Sequence, residues 1–179
     1  EFRRVLFRSI GHLLAWTPDG KQLVVADRGA DGKGGLVLLD LQSGERQPLS
    51  TPGAGEFDVE PSLSSNGRLM LFNRIRAQTL SDVFVQELDA QFRPTGAARK
   101  LPPAGTWNGT PRLLEGRDEV LLCAGSAPRL SLWRQPVDGT GKPESLGIIG
   151  DHAVQTANDP ARGRIVFRTL RYDFDVLRF

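Results

Sequence analysis

The sequence predicts an all-β fold, a partial β-propeller of about three and a half four-stranded blades. Three observations support this prediction. A turn signal recurs at a nearly constant spacing, an apolar strand-like run follows each copy of the turn, and no segment keeps a helical period of 3.6 residues over ten or more residues. Regular recurrence on this length scale is typical of propellers and other repeat architectures.

The repeat is clearest where two tight-turn signals coincide. Residues 15–27 (AWTPDGKQLVVAD) align with residues 62–74 (SLSSNGRLMLFNR) at an offset of 47, the difference between 62 and 15. The Asp-Gly pair of the first copy then falls on the Asn-Gly pair of the second. Both pairs tolerate the positive φ that primed hairpin turns demand. Weaker copies occupy residues 111–124 and 161–169.

Further strand-like segments complete each repeated unit. The apolar run after each turn suits a strand that is buried on both faces. A second segment follows it in each copy, at residues 35–41, 81–88, 130–137 and 173–179. A short last segment carries Pro48 in the first copy and Pro143 in the third. Because proline cannot donate to a ladder, these last segments belong at an outer edge.

Propeller blades pack face to face, and they typically have apolar inner strands and an outer edge strand that resists further pairing. A β-sandwich is the alternative all-β architecture, but it does not require the turn to recur beside the same flanking pattern. The predicted blades occupy residues 10–56, 57–106, 107–152 and 153–179, the last one incomplete. Closed propellers have about four to eight blades. We therefore expect the C-terminal part of a larger propeller, with uncovered faces that promote self-association.

The first nine residues are interpreted as translated sequencing adapter. EFRRVLFRS is what GAG TTC AGA CGT GTG CTC TTC CGA TCT encodes, and that DNA resembles the end of a common library adapter. Such segments are excluded from fold reasoning. Without residues 1–9, Lys and Arg fall from 23 to 20 and Asp and Glu from 21 to 20, so the net charge falls from +2 to 0. A true basic arm is the alternative interpretation.

The segments AWTPDGKQLVVAD and DVEPSLSSNGRLMLF resemble the TolB-like (WD-like) propeller repeat, in which a Trp-Ser-Pro-Asp-Gly-Lys turn precedes a short apolar strand. SDVFVQELD and SLWRQPVDG resemble its third strand. Their succession through residues 10–179 is most similar to the C-terminal propeller of bacterial winged-helix (CadC-type) transcriptional regulators. That resemblance implies a non-enzymatic sensor or protein-interaction module in the periplasm, with the DNA-binding domain elsewhere in the parent protein. The alternatives are the propeller of a serine/threonine kinase or prolyl-oligopeptidase-like hydrolase, and a periplasmic TolB-type protein.

No catalytic residue, metal site or cofactor is predicted. The chain has two histidines and lacks the Gly-x-Ser-x-Gly nucleophile elbow. Residues 27–35 (DRGADGKGG) match neither an EF-type calcium loop nor a P-loop. Cys123 lies in a buried-strand pattern, where a free cysteine acts as a small hydrophobe. Asp58 and Glu60 alternate along one strand, so we expect both carboxylates on the same side of it, at a central channel.

Binding residues are expected on loops between an outer strand and the next blade. These loops are residues 51–60, 102–110 and 148–156, and we predict that they recognise a protein or a small ligand. The predicted binding residues are Trp107, Asn108, Asp151 and His152. Trp107, placed in a loop, either faces a partner or fills the gap between adjacent blades.

Two classes of partner are not expected. The basic residues Arg74, Arg76, Arg99 and Lys100 form no continuous run and have no accompanying aromatic series, so no direct nucleic-acid contact is predicted. No apolar run approaches the roughly 20 residues of a membrane-spanning helix.

Overall fold

The computed structural model describes residues 14–28, 34–126, 129–147, 153–159 and 162–169. These residues form an all-β partial propeller, as predicted, and contain no α-helix. The strands are β1 (Ala15–Trp16), β2 (Gln22–Arg28), β3 (Gly34–Asp40), β4 (Arg46–Pro48), β5 (Phe57–Leu63), β6 (Leu69–Ala77), β7 (Leu80–Glu87), β8 (Arg99–Lys100), β9 (Trp107–Leu114), β10 (Glu119–Ser126), β11 (Arg129–Pro136), β12 (Glu144–Ser145), β13 (Ala153–Asp159) and β14 (Arg164–Thr169).

Successive strands pair antiparallel and form four units, which we number sheets 1 to 4. Sheet 1 is β1–β4, sheet 2 is β5–β8, sheet 3 is β9–β12 and sheet 4 is β13–β14. A single parallel pair, Gly34 with Phe57, links the edges of sheets 1 and 2. The outermost strands are short, and Pro48 lies in one of them, where its missing N–H costs no ladder bond.

The recurring Asp-Gly and Asn-Gly signals do form the β1–β2 and β5–β6 hairpins, but not as primed turns. Gly20 has a φ of 70° and Gly67 a φ of 68°, whereas the residues before them keep negative φ. The Gly20 N–H donates to the carbonyl of Thr17, which closes an ordinary four-residue turn. Pro18 and Asp19 are the central residues of this turn, and Pro18 favours it because its ring fixes φ near −65°, the value that the first central position of an ordinary turn takes.

Three apolar cores lie between consecutive sheets, because the β6 run and its counterparts are buried on both faces as predicted. Met70 and Phe72 of β6 pack in core 1, between sheets 1 and 2, while Leu71 between them packs in core 2, between sheets 2 and 3. Core 3 lies between sheets 3 and 4 and includes Leu121 and Ala153. Successive side chains along β6 therefore pack in two different cores, because they point to opposite faces of the strand.

Sheet 4 departs from the pattern of the repeat. Aligning Gly163 with Gly67 would place Val166 where Met70 is buried. Instead Val166 is 69% exposed and the neighbouring Phe167 packs on core 3. The register of β13 shifts between Ala153 and Gln155, so the pairing of β13 with β14 contains an irregularity there.

Candidate functional site

The segments that join one sheet to the next lie at one end of the strands, which we call the connection face. It carries residues 51–56 before β5, residues 101–106 before β9, and the β6–β7 hairpin. The predicted loops 51–60, 102–110 and 148–156 were too long, because residues 57–60, 107–110 and 153–156 belong to β5, β9 and β13. The innermost strands extend further than their apolar pattern because polar residues there are bonded to neighbouring strands.

Asn108 lies in β9 rather than in a loop and is 1% exposed. Its backbone N–H donates to Oγ of Ser81 at 2.9 Å, and Oγ of Ser81 donates back to the carbonyl of Asn108 at 2.8 Å. Its Nδ2 donates to the carbonyls of Ser81 and Gly105, and its Oδ1 accepts from the N–H of Ala104. Asn108 thus connects sheet 3 to the start of β7 in sheet 2 through hydrogen bonds with Ser81.

Trp107 is also a strand residue, since it pairs with Gly125 and opens β9. Its ring lies against Gly109 of the same strand and packs on core 3 with Cys123. Of the two alternatives for Trp107, the observed position is the one that fills the gap between adjacent sheets. Asp151 and His152 lie outside the described residues, as does most of the loop that carries them.

The expectation that Asp58 and Glu60 share one side of β5 was wrong. Asp58 pairs with Arg74 across the ladder, whereas the Glu60 carboxylate accepts a hydrogen bond from Nδ2 of Asn73, the adjacent residue of β6, at 3.4 Å. A β-bulge between Val59 and Ser62 and a φ of 57° at Glu60 reverse the alternation. Asp58 therefore faces sheet 1, and Glu60 faces sheet 3.

A row of charged side chains crosses sheet 2 near the connection face. Asp58, which is 1% exposed, accepts from Nε and Nη2 of Arg74 at 2.6 and 2.8 Å, a bidentate pair. The hydrogen bonds to Asp58 raise the pKa of Arg74 above its ordinary value, although burial opposes them. The guanidinium also lies over the ring of Phe84, with Cζ 4.7 Å from the centroid.

Asp82 lies opposite Arg74 in the ladder and is itself buried. Its carboxylate forms ion pairs with Arg76 and with Nζ of Lys100, the latter at 2.9 Å. The side chains of Arg76 and Lys100 are about two-fifths exposed, at 39% and 43%. Asp82 therefore holds two cations in defined positions at the surface, beside the exposed Leu80 of the β6–β7 hairpin.

Sequence reasoning missed this charged row because it searched for runs along the chain. Asp58, Arg74 and Asp82 come together only across strands. Their pairing follows from the register of the β5–β6 and β6–β7 hairpins. A count outward from the Asn66-Gly67 turn pairs Asp58 with Arg74 only if the bulge at Glu60 is included.

A second polar set joins the innermost strands β5, β9 and β13. The N–H of Thr110 donates to Oε2 of Glu60 at 2.6 Å, and Oγ1 of Thr156 donates to the carbonyl of Thr110 at 2.9 Å. Thr110 repeats the bulge of Glu60, with a φ of 48° and a register shift beside it. Each of these two bulged residues precedes a proline in the sequence. The proline ring disfavours the right-handed helical conformation of the residue before it.

The groups near Thr110 are not suited to nucleophilic chemistry. Burial raises the pKa of the Cys123 thiol to about 11, so the thiolate is scarce at neutral pH. Burial also lowers the pKa of Arg112, and nearby Glu60 opposes that shift. Among the described residues there is no group of three or more His, Cys, Asp or Glu side chains that could hold a metal ion.

The opposite end of the sheets carries two open clefts at equivalent positions. One, of about 370 Å³, lies between the β3–β4 hairpin and residues 90–93 of the β7–β8 connection. The other, of about 400 Å³, lies between sheet 2 and the start of the β11–β12 connection at Val137. Neither cleft brings together groups of a recognisable catalytic set. Within the described part of the chain, no helix is long and apolar enough to cross a membrane.

Comparison with known proteins identifies the fold. No protein-family model matches the chain, and no curated protein matches it. The crystal structure of TolB from Acinetobacter baumannii matches with a TM-score of 0.67 and 18% identity over 86% of this chain and 36% of that one. A chain of a nidogen/laminin complex matches with a TM-score of 0.65 and 14% identity over 87% of this chain and 55% of that one.

Prolyl oligopeptidase B from Galerina marginata is also similar, with a TM-score of 0.56 and 13% identity over 80% of this chain and 22% of that one. This chain thus spans between 22% and 55% of the length of these three structures. At such identities the likeness concerns the fold alone, and it agrees with the sheets described above. The chain has the fold of a TolB-like β-propeller and comprises part of one.

Proposed function

We propose that this chain is a non-enzymatic propeller module that recognises a protein partner through its connection face. The observation that carries the proposal is the pair of cations that Asp82 holds at the surface. Arg76 and Lys100 are exposed enough to contact a partner, yet each is fixed by the same buried carboxylate. Side chains fixed in this way lose little rotamer entropy on binding, which favours recognition of an acidic protein surface.

The similarity of TolB and of the nidogen/laminin chain supports an interaction role only through the fold they share. Propellers present loops and hairpins on a rigid strand scaffold, and binding residues are disproportionately carried by such segments. The exposed Leu80 beside the two cations adds an apolar contact of the kind found in interfaces.

Photo-crosslinking in cells that encode the protein tests this proposal. A photoreactive residue at Gln78, in the β6–β7 hairpin, is expected to capture a defined protein, and Arg76→Glu is expected to abolish that adduct. The matched control places the same group at Ser43, an exposed residue at the opposite end of the sheets. An adduct that forms equally at Ser43, or one that survives Arg76→Glu, would contradict recognition by the connection face.

The finer proposal is that the parent protein is a winged-helix transcriptional regulator and that this module is its periplasmic sensor. Its support is the order of the segments AWTPDGK, SLSSNGRLMLF, SDVFVQELD and SLWRQPVDG. Long-read sequencing across the codon for Ile10 tests it. We expect further blades upstream, preceded by a membrane helix and a winged-helix domain. A kinase domain upstream, a hydrolase domain downstream, or genomic coding of EFRRVLFRS would contradict it.

A second candidate function is the propeller of a peptidase, which the likeness to prolyl oligopeptidase B favours at the level of fold. The two proposals differ in which domain is joined to the module and in whether the parent protein catalyses peptide cleavage. We expect the 179-residue chain to cleave no proline-containing peptide substrate. Cleavage that follows the protein through purification would overturn the non-enzymatic assignment.

A further inference from the structure

A buried amide in sheet 3 lacks the hydrogen bonds that its counterpart in sheet 2 makes. Gln135 of β11 pairs with Val120, which packs in core 2, so the Gln135 side chain points towards sheet 2. The residue is 1% exposed, and neither Nε2 nor Oε1 has a hydrogen-bond partner among the described residues. Buried polar groups are nearly always bonded, so this amide indicates a binding site for another polar group.

The counterpart is Gln86 of β7, which lies at the corresponding place in sheet 2 and pairs with Met70. Since Met70 packs in core 1, the Gln86 side chain points towards sheet 1. Its Nε2 donates to the carbonyls of Glu87 and Gly96, both at 3.0 Å. Gly96 belongs to the connection between β7 and β8. A peptide group of that connection therefore bonds the amide in sheet 2.

The connections that follow the two glutamines differ in length. The β7–β8 connection has eleven residues, 88–98, whereas the β11–β12 connection has seven, 137–143. In the longer one, the Phe92 ring packs against core 1 and lies against the β5–β6 turn, where a Cβ at Gly67 would be 2.6 Å from the ring. At Gly116, in the corresponding β9–β10 turn, an added Cβ would meet nothing within 4 Å. The described residues of sheet 3 thus place no ring against that turn.

A cleft opens into the same space between sheets 2 and 3. It is the cleft of about 400 Å³ described above, which we call the outer cleft. Leu69 and Val85 line it from sheet 2 and Val137 lines it from sheet 3, and all three belong to core 2 or pack against it. Val137 follows Gln135 by two positions, so the Gln135 side chain lies next to the lining of the cleft. Because no hydrogen bond to the described residues holds the amide, it can rotate into the cleft without breaking one.

The charges around the outer cleft favour a ligand with a basic group. Its charged lining consists of Glu87, Arg99 and Asp138, and Nη2 of Arg99 already donates to a backbone carbonyl of sheet 3 at 2.7 Å. Asp89 is the counterpart of Asp138 in sheet 2, since each lies two residues beyond its strand. The backbone N–H of Arg93 donates to Asp89 and lowers its pKa, and the positive charge of Arg93 acts in the same direction.

We propose that the outer cleft binds an extended segment of a partner protein in which an aromatic residue is followed by a basic one. The segment supplies to Gln135 the peptide carbonyl that Gly96 supplies to Gln86. A peptide group also offers an N–H to the amide oxygen, so it matches both the donor and the acceptor. The aromatic ring packs against the turn at Gly116. This site lies at the opposite end of the sheets from the connection face and does not depend on recognition there.

A synthetic peptide, DAQFRPTGAA, is the probe, because the same segment (residues 89–98) occupies the corresponding place in sheet 2. Fluorescence anisotropy of the labelled peptide with the 179-residue chain is expected to show saturable binding. Gln135→Leu is expected to weaken binding about tenfold, because the hydrogen bonds of the amide are lost. Leucine suits the fold at this position, since Leu39 is buried at the corresponding place in sheet 1. Gln47→Leu, in the cleft between sheets 1 and 2, is the matched control and is expected to bind normally.

Two further measurements test the mode of binding. A peptide with Phe92→Ala is expected to bind at least about tenfold more weakly, because the ring supplies the apolar contact. The side-chain amide resonances of Gln135, identified by their absence from the spectrum of Gln135→Leu, are expected to shift when the peptide is added. Arg76→Glu is expected to leave binding unchanged, which separates this site from the connection face. No saturable binding, an unaffected Gln135→Leu variant, or amide resonances that contact water and ignore the peptide would each overturn the proposal.

Discussion

The carboxylate of Asp58 and the guanidinium of Arg74 form a bidentate pair at 2.6 and 2.8 Å, facing core 1 from the two inner strands of sheet 2, β5 and β6. Asp58 is almost fully buried, and the Arg74 side chain is 17% exposed. Removing one partner leaves the other charge buried without compensation, which costs about 3–5 kcal/mol for a buried pair. We expect the lower part of this range, because Arg74 retains some contact with solvent and with Glu56.

The first prediction is that Asp58→Asn lowers the free energy of unfolding by about 3 kcal/mol. Urea denaturation at fixed protein concentration measures this loss. The double variant Asp58→Leu/Arg74→Met is the control, and we expect it to be more stable than Asp58→Asn because both charges are removed together. A double variant less stable than the single one would show that the pair contributes net stability beyond the cost of an unpaired charge.

The burial pattern of this fold could be predicted from the sequence because it follows from local rules. The run of Met70, Leu71 and Phe72 lacks a polar face, and a strand of that kind must be covered on both sides. The turn before it carries its own glycine. Both features are contained within a few adjacent residues, so no tertiary information was needed to find them.

The candidate site could not be predicted in the same way, because its geometry depends on contacts between sheets. The bulge at Glu60 places its carboxylate beside the N–H of Thr110, a residue 50 positions away in the next sheet. Trp107 and Asn108 have the composition of a loop, but their bonds to β10 and to Ser81 make them part of β9. Such long-range partners override local propensity.

The second prediction concerns the β5–β6 turn, where a glycine is required for two reasons. Gly67 has a φ of 68°, and a Cβ there would lie 2.6 Å from the ring of Phe92. Gly20 has a nearly equal φ of 70° but open space around it. We expect Gly20→Ala to cost about 1 kcal/mol from backbone strain alone, and Gly67→Ala to cost about 1–2 kcal/mol more. Thermal unfolding of both variants measures the difference.

The matched rescue for Gly67→Ala is Phe92→Ala, which removes the ring that the new Cβ meets. The double variant is expected to lose less stability than the two single losses predict when added, because the clash is present only in one of them. Strict additivity in this cycle would contradict a direct contact between the two positions.

The third prediction is a pH dependence from the turn carboxylates Asp40, Asp89 and Asp138, of which Asp40 ends β3 and the other two lie just beyond β7 and β11. Hydrogen bonds from the backbone N–H groups of Arg93 and Gln91 lower the pKa of Asp89 below its ordinary 3.8. A lowered folded-state pKa means that the stabilisation is present above the unfolded value and is lost as pH falls through the folded one. We therefore expect stability to decline only in strongly acidic solution.

Melting temperatures of Asp89→Ala and the wild type at about pH 7 and about pH 2.5 measure this contribution. The difference between the two proteins is expected to shrink at the lower pH, because the wild-type carboxylate is then increasingly protonated. Asp89→Asn is the control, since it keeps an acceptor for the two N–H groups but has no titrating carboxyl. A difference between Asp89→Ala and wild type that does not change with pH would contradict the assignment.

The last prediction uses the only cysteine of the chain as a probe of core 3. Cys123 is fully buried, and burial raises its pKa to about 11, so both access and thiolate fraction are low at neutral pH. We expect Ellman's reagent to react with the native protein only as fast as sheets 3 and 4 separate, and to react at once in urea. The Phe167→Ala variant, which uncovers core 3 from the side of sheet 4, is expected to accelerate labelling. Rapid labelling of the native wild type would contradict the burial of Cys123 between the two sheets.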